Sequence, residues 1–338
     1  REHPMPETKN LSPWVRQFLV DYLPVERNLA RNTQTSYRDT LQQLLPFAAK
    51  RSRKRIDRLQ VGDLSRTNVL EFLNNLEEER GCSVSTRNQR LGAIHSLAKF
   101  ISSRNPEFIE WYGELATIPT KKRTRTTISY LEKQEMDALL ETPDTSTAQG
   151  QRDSAILLFL YNTGARADEV AQLPISHVTL SNGQQSFVKF RGKGSKERTC
   201  PLWQRTADAI RPLMEGRDPS ARVFLNRNGR HYTRFGINEL VKRNAASAAN
   251  GSPAIARKRV TTHVIRHTTA THLLRSGVDI NTIRSWLGHV SLATTNIYAE
   301  VDLEMKAKAL ATCEVECSSS DDKHWKDQPD LMEFLRSL

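Results

Sequence analysis

Six side chains in this 338-residue sequence are of types that bind anions, move protons or attack as nucleophiles. Arg166 stands in TGARADEV, directly after the most apolar helix pattern of the chain, with Gly164 as its stop and Glu169 just beyond. Lys193 lies in RGKGSKER, between two strand patterns. His263 and Arg266 share THVIRHT, His289 closes LGH, and Tyr298 ends NIY. Each has a plainer reading. Arg166 could be a surface arginine, although a charge placed right after a buried helix calls for an anionic partner. Lys193 could be a turn lysine, and Tyr298 a helix-packing aromatic. His263 and His267, four apart on one helix face, could be zinc ligands; the Glu of an H-E-x-x-H site is absent and no further ligand is evident, so no metal is expected. Cys313 and Cys317 with His324 offer a metal hint by proximity alone.

The elements that must carry these residues are mostly helices. In residues 13–22, Trp14, Phe18 and Tyr22 recur every four positions, with Val15 and Leu19 filling the same stripe. Residues 33–48 place Tyr37, Leu41, Leu44, Leu45 and Ala48 along one side. Thr67 is the expected N-cap of a helix over 69–80, stopped by Gly81. Residues 85–101 form a longer helix with Leu91, Ile94, Leu97, Ala98 and Ile101 inside; Arg87, Asn88, Arg90 and Lys99 face away, as a solvated surface or a binding one. IPTKKRTRTT, residues 118–127, has four basic residues and no apolar periodicity, and reads as an extended linker. Helices resume at 132–140 and at 150–163, whose AILLFLY is apolar nearly all round and belongs at the centre of a core. Strands are expected at 177–180, 186–190 and 198–201, with GKGSK as the tight connection between the last two. Further helices are expected at 206–215, 236–249, 262–275, 280–287 and 293–298. The end of the chain carries a helix-like VDLEMKAKALA, a polar break and a short amphipathic segment.

Charge narrows the partner. The chain has 50 Lys+Arg against 38 Asp+Glu, a formal net charge of +12, and a pI near 9.7. Residues 1–125 and 126–300 each carry a net +8, whereas 301–338 carry −4. Two basic segments followed by an acidic tail suit a clamp around a polyanion. No run of about 18 apolar residues exists, so no membrane span is expected. Residues 1–10 are polar and show no secretion signal. Four scattered cysteines (Cys82, Cys200, Cys313, Cys317) do not make a disulfide framework and suit a reducing, cytoplasmic setting.

Taken together, Arg166, Lys193, His263 with Arg266, His289 and Tyr298 resemble, in order and spacing, the catalytic set of the tyrosine recombinase (phage-integrase-like, XerC/XerD-like) family. GKGSKER, THVIRHTTATHLL and WLGHVSLATTNIYAEV carry the resemblance, which covers residues 11–313. It implies a mainly α fold. A helical, SAM-like core-binding domain would occupy 11–115, a basic linker 116–128, and an α-rich catalytic domain with a small three-stranded antiparallel sheet 129–312. A tail at 313–338 would contact a neighbouring protomer.

The chemistry so implied explains the residue types. Phosphodiester exchange passes through a pentacoordinate phosphorane with extra negative charge, to which Arg166 and Arg266 would offer bidentate donors. Such preorganised charge is commonly the largest catalytic contribution. Tyr298 would be the nucleophile, and its 3′-phosphotyrosyl link conserves the bond energy, so no nucleotide cofactor or metal is needed. His263 would take the phenolic proton, Lys193 would protonate the leaving 5′-oxygen, and His289 would hydrogen-bond the phosphate. His267 would support the helix and Glu169 would orient a neighbouring His or Arg. The expected partners are double-stranded recombination sites and a homotetramer on synapsed DNA, working through a Holliday junction for a mobile element or plasmid. DNA contacts are expected from Thr86, Arg87 and Arg90, from Lys121, Lys122, Arg123 and Arg125 of the linker, and from Arg234, Lys242 and Arg243. A type IB topoisomerase would share the chemistry, and a non-catalytic DNA-binding protein would share the fold.

Overall fold

The computed structural model describes residues 9–122, 129–181, 185–191 and 197–288, together with Glu333 and Arg336. The chain divides into two units, Arg1–Thr126 and Thr127–Leu338.

The described residues of the first unit fold into helices joined by short connections. Helix α1 (Leu11–Gln17) runs on into a π-helical stretch, Phe18–Glu26, whose Pro24 cannot donate a ladder hydrogen bond. Then follow α2 (Arg31–Ser52), α3 (Arg66–Glu78), α4 (Val84–Ser102) and α5 (Ile109–Ala116). The spacing of four that singled out Trp14, Phe18 and Tyr22 does put them on one core: the rings of Phe18 and Tyr22 stack at 5.7 Å, and both meet Phe100 of α4. Leu41, Leu44, Phe72, Leu73, Leu91, Ile94 and Leu97 complete this core, each at most 2% exposed. The N-cap of α3 is Ser65, whose hydroxyl accepts the Asn68 N–H, and not Thr67, which lies inside the first turn. The same displacement occurs at α4, where Ser83 accepts from the Thr86 N–H two residues before the expected start. The chain turns at Gly81 with φ +60, as expected of a glycine there.

The second unit surrounds one buried helix. Helix α6 (Lys133–Glu141) is entered through a capping box between Glu132 and Glu135. Helix α7 (Ala148–Thr163) is buried without interruption from Asp153 to Thr163, as its AILLFLY run requires. A short α8 (Ala167–Ala171) leads to three strands, β1 (Val178–Thr179), β2 (Phe187–Arg191) and β3 (Glu197–Pro201). They pair antiparallel in the order β1-β2-β3, with Val188 opposite Cys200 and Phe190 opposite Arg198. Phe190 meets Phe159 of α7 edge-on at 6.0 Å, and so the sheet is packed on the central helix. Helices α9 (Gln204–Met214), α10 (Arg234–Ala249), α11 (Pro253–Ala256), α12 (Thr262–Arg275) and α13 (Ile280–Leu287) complete the unit. The bounds of α12 and α13 coincide with the helices expected at 262–275 and 280–287. The fold is thus mainly α with one small antiparallel sheet. The helix expected at 293–298, the GKGSK connection and, apart from Glu333 and Arg336, the tail fall outside the described residues.

Candidate active site

The site begins where α7 stops. Gly164 takes the left-handed conformation (φ +59), and a Cβ on it would lie 2.5 Å from Leu287 Cδ2 of α13. Any side chain here would be strained in its backbone and would crowd the buried Leu287 side chain. Two residues on, Arg166 is the N-cap of α8. Its backbone N–H donates to Glu169 Oε2 (2.8 Å) and its Nη1 to Glu169 Oε1 (2.9 Å), so the guanidinium is aimed from two points. Its Nη2 donates to the Gly288 carbonyl at 3.3 Å.

Glu169 is shared. Arg198 of β3 grips it in a fork, Nη1 to Oε1 at 2.9 Å and Nη2 to Oε2 at 2.7 Å, and the Arg198 guanidinium lies 4.4 Å above the Phe190 ring. Burial alone would raise the pKa of this carboxyl. Hydrogen bonds and charge from Arg198, followed by those of Arg166, outweigh it and bring the pKa down to about 2.

Arg266 approaches from the other side. It sits within α12, only 4% exposed, and donates from Nη1 to the Gly164 carbonyl (2.6 Å) and from Nη2 to the Leu287 carbonyl (2.6 Å). These carbonyls lie at the C-terminal ends of α7 and α13, where helices leave acceptors unsatisfied and carry partial negative charge. Arg266 therefore ties two helix ends together, and Arg166 reaches the very next carbonyl. The two arginines converge on consecutive peptides, Leu287 and Gly288, immediately before His289 in the chain.

His263 precedes Arg266 by nearly one turn, on the exposed side of α12. Surrounding protein first, then Arg266 and Arg166, hold its pKa below the ordinary imidazole value, which leaves it neutral at pH 7 and able to accept a proton. His267 is pushed to about 4 by burial, by His263 and by Arg266. The two rings are 6.5 Å apart. Among the described residues, no group of three or more His, Cys, Asp or Glu side chains is placed to hold a metal ion.

Arg166, Glu169, Arg198 and Arg266 thus form one cationic cluster around the ends of α7 and α13, whose charge also reaches His263. Lys193, His289 and Tyr298 lie outside the described residues. Strands β2 and β3 flank Lys193 in the chain, and Gly288, left-handed at φ +65, precedes His289.

Comparison with known proteins agrees with this architecture. Residues 129–305 match the Phage integrase family, and residues 15–105 match its N-terminal SAM-like domain. Over 336 residues, covering 99% of this chain and 100% of the relative, it is 36% identical to a Sinorhizobium fredii protein (strain NBRC 101917 / NGR234) named as an integrase/recombinase, y4rC. The chain belongs to the phage integrase family of tyrosine recombinases. It is also 32% identical to tyrosine recombinase XerC of Pelobacter propionicus, over 86% of this chain and 91% of the relative. Among solved structures, XerH site-specific recombinase bound to its difH substrate shares the fold at a TM-score of 0.67, with 21% identity over 93% of this chain and 100% of that one. The Tn1549 transposon integrase in complex with a circular intermediate DNA does so at 0.65, with 16% identity over 91% and 100%.

The recombinase treats its expected DNA contacts unequally. Arg87 needs correction: it is 2% exposed, and its Nη1 donates to the Pro119 carbonyl (2.8 Å) and to Asn88 Oδ1 (3.1 Å). A side chain so enclosed fastens the chain leaving α5 and is not presented to a ligand. Its neighbour Asn88 continues the clamp, donating to the Lys121 carbonyl and accepting the Lys121 N–H. Arg90 is half-buried, donating to the Ser36 carbonyl and to Thr40 Oγ1. Thr86 is half-buried beside its cap Ser83. Lys121 is exposed, with Nζ on Glu77 at 2.7 Å, and Lys122 is exposed. Arg123 and Arg125 lie outside the described residues. On α10, Arg234 is exposed over the ring of Phe235, Lys242 pairs with Glu239, and Arg243 pairs with Asp153 of α7. Arg198 escaped the sequence reading. Its signal is a basic residue within a strand that opposes an aromatic, which sequence alone does not separate from a solvated strand face.

Proposed function

We propose that this recombinase cleaves and rejoins double-stranded DNA at specific sites through Tyr298. The observation that carries the reading is the convergence of Arg166 and Arg266 on the consecutive carbonyls of Leu287 and Gly288, directly before His289. Two guanidiniums held at one place by helix ends form a fixed positive site, which suits the charge that develops on a phosphate as it becomes five-coordinate. The Tyr298 oxygen attacks phosphorus, its proton passes to His263, and a 3′-phosphotyrosyl bond replaces the bond to the 5′-oxygen. Lys193 supplies the proton that turns the leaving oxygen into a 5′-hydroxyl. A 5′-hydroxyl from a second duplex then attacks phosphorus, releases Tyr298 and joins the strands. The neutral state of His263, maintained by burial and by the two arginines, fits the role of first acceptor.

Exchange between duplexes calls for four protomers on two sites and a Holliday junction intermediate. The acidic residues 313–338 serve as the protomer-contacting segment. The resemblance to y4rC, named as an integrase/recombinase, supports use by a mobile element or plasmid. The place of action is the cytoplasm, where reducing conditions suit the free Cys82 and Cys200.

The test uses a site selected by the full-length protein from a randomised duplex pool and rebuilt as a nicked suicide duplex. Wild-type protein forms a covalent protein–DNA adduct that survives denaturing electrophoresis, and does so undiminished in EDTA. Tyr298→Phe forms none. Site binding without an adduct would make the chain a DNA-binding protein that has kept the fold.

A further inference from the structure

Arg198 has no part in the reaction as drawn, yet its guanidinium is enclosed by a carboxylate, an aromatic ring and a glycine. Its side chain is 8% exposed, against 42% for Arg166, and both arginines share one carboxylate. The Arg198 fork takes both Glu169 oxygens, while Arg166 side-chain contact is to Oε1 alone. Phe190, its register partner on β2, lies beneath the guanidinium. Gly288 closes over it: a Cβ there would meet Arg198 Cδ and Nη1 at 3.2 Å.

The charge arithmetic follows from this geometry. With Arg198 present, Glu169, Arg166 and Arg198 together keep one net positive charge. Without it, the Glu169 carboxylate would neutralise Arg166 at short range in a partly buried setting, where such pairing is poorly screened. Arg198 also joins β3, next to the segment that holds Lys193, to the turn that presents Arg166. We infer that Arg198 is a positioning residue of strand cleavage, whose guanidinium takes up the charge of Glu169 so that Arg166 retains its positive charge for the scissile phosphate. The inference rests on the proposed reaction at Tyr298.

The experiment compares single-turnover cleavage of the nicked duplex by the full-length chain at saturating protein, with duplex binding and thermal melting measured on each variant. Arg198→Gln cleaves about 10–100-fold more slowly than wild type, the range seen when a group orienting a reactive residue is lost, while binding the duplex as wild type does. Glu169→Gln is also slow, because Arg166 loses its anchor. The double variant Arg198→Gln/Glu169→Gln, with no carboxylate left to offset, cleaves about tenfold faster than Arg198→Gln, a coupling of the size expected for groups in direct contact. A merely structural ion pair gives a double variant no faster than Arg198→Gln, and that result overturns the inference. Arg198→Lys keeps the charge and decides the matter if the Gln variants melt below the assay temperature: cleavage within about tenfold of wild type supports the charge role, and a larger loss overturns it. A wild-type protein that forms no adduct refutes the reaction itself and the inference with it; a normal wild-type adduct with an equally active Arg198→Gln refutes the inference alone.

Discussion

Glu77 in the first unit and Glu169 in the second each gather one enclosed arginine and one exposed cation, and they make different things of them. Their side chains are 17% and 13% exposed, and the enclosed arginines, Arg87 and Arg198, are 3% and 8% exposed. The exposed cations, Lys121 and Arg166, are 49% and 42% exposed. The difference lies in what the other donors reach. Arg87 is 3.8 Å from Glu77 and directs Nη1 to the Pro119 carbonyl, so that group fastens a segment of chain. Arg198 gives both Nη atoms to Glu169, which leaves Arg166 free to extend toward Gly288, beside the carbonyl held by Arg266. A carboxylate with two cations is a clamp in one place and the footing of a cationic site in the other. The presence of further guanidiniums converging on the same peptides distinguishes them.

The largest effect expected of this contrast is at Arg266. Arg266→Lys cannot serve the carbonyls of Gly164 and Leu287 together, and single-turnover cleavage should fall about 10²–10³-fold, with retained duplex binding. Undiminished cleavage would remove the second unit from the comparison. Next is Arg87→Met, which strands the Pro119 carbonyl; urea unfolding should show a loss of about 1–3 kcal/mol, with cleavage by the folded variant unchanged. Normal stability with lost DNA affinity would make Arg87 a contact residue after all. The pH dependence is a smaller effect. His267 has its pKa depressed to about 4 from 6.5, so the unfolded chain binds the proton more readily, and stability should decline as pH falls through that interval. His267→Gln should flatten the decline by about 1–2 kcal/mol in unfolding curves taken at pH 7 and pH 4.5. An identical decline in the variant would place the loss elsewhere. The smallest effect belongs to Arg234, exposed on α10: Arg234→Ala should reduce the slope of log affinity against log salt by about 1, and an unchanged slope would exclude a phosphate contact there.

Periodicity carried most of the fold. The helices expected at 262–275 and 280–287 coincide with α12 and α13 to the residue, and the unbroken apolar run in α7 foretells its central place. The short helices α8 and α11 offer too few turns to establish a period, and they and α5 were not anticipated. Helix starts were displaced because two hydroxyls near each N-terminus compete for one capping role, and backbone geometry chose Ser65 over Thr67. At the site, residue type and order brought forward Arg166, Glu169, His263 and Arg266, which the structure unites. Arg87 and Arg198 were misread or missed for a common reason. Burial of an arginine depends on acceptors distant in sequence, the Pro119 carbonyl 32 residues from Arg87 and Glu169 29 residues from Arg198. Neither pairing leaves a local pattern.

If the cationic cluster serves a nucleophile at Tyr298, the covalent bond to DNA forms on that side chain. The most direct measurement is peptide mapping of the trapped adduct: digest the protein–DNA complex formed on the nicked duplex, trim the DNA to a nucleotide, and locate the phosphodiester by mass spectrometry. The expected result is a 3′-phosphotyrosyl bond on Tyr298 and on no other side chain. A linkage to a serine or to another tyrosine, or an adduct persisting in Tyr298→Phe, would contradict it.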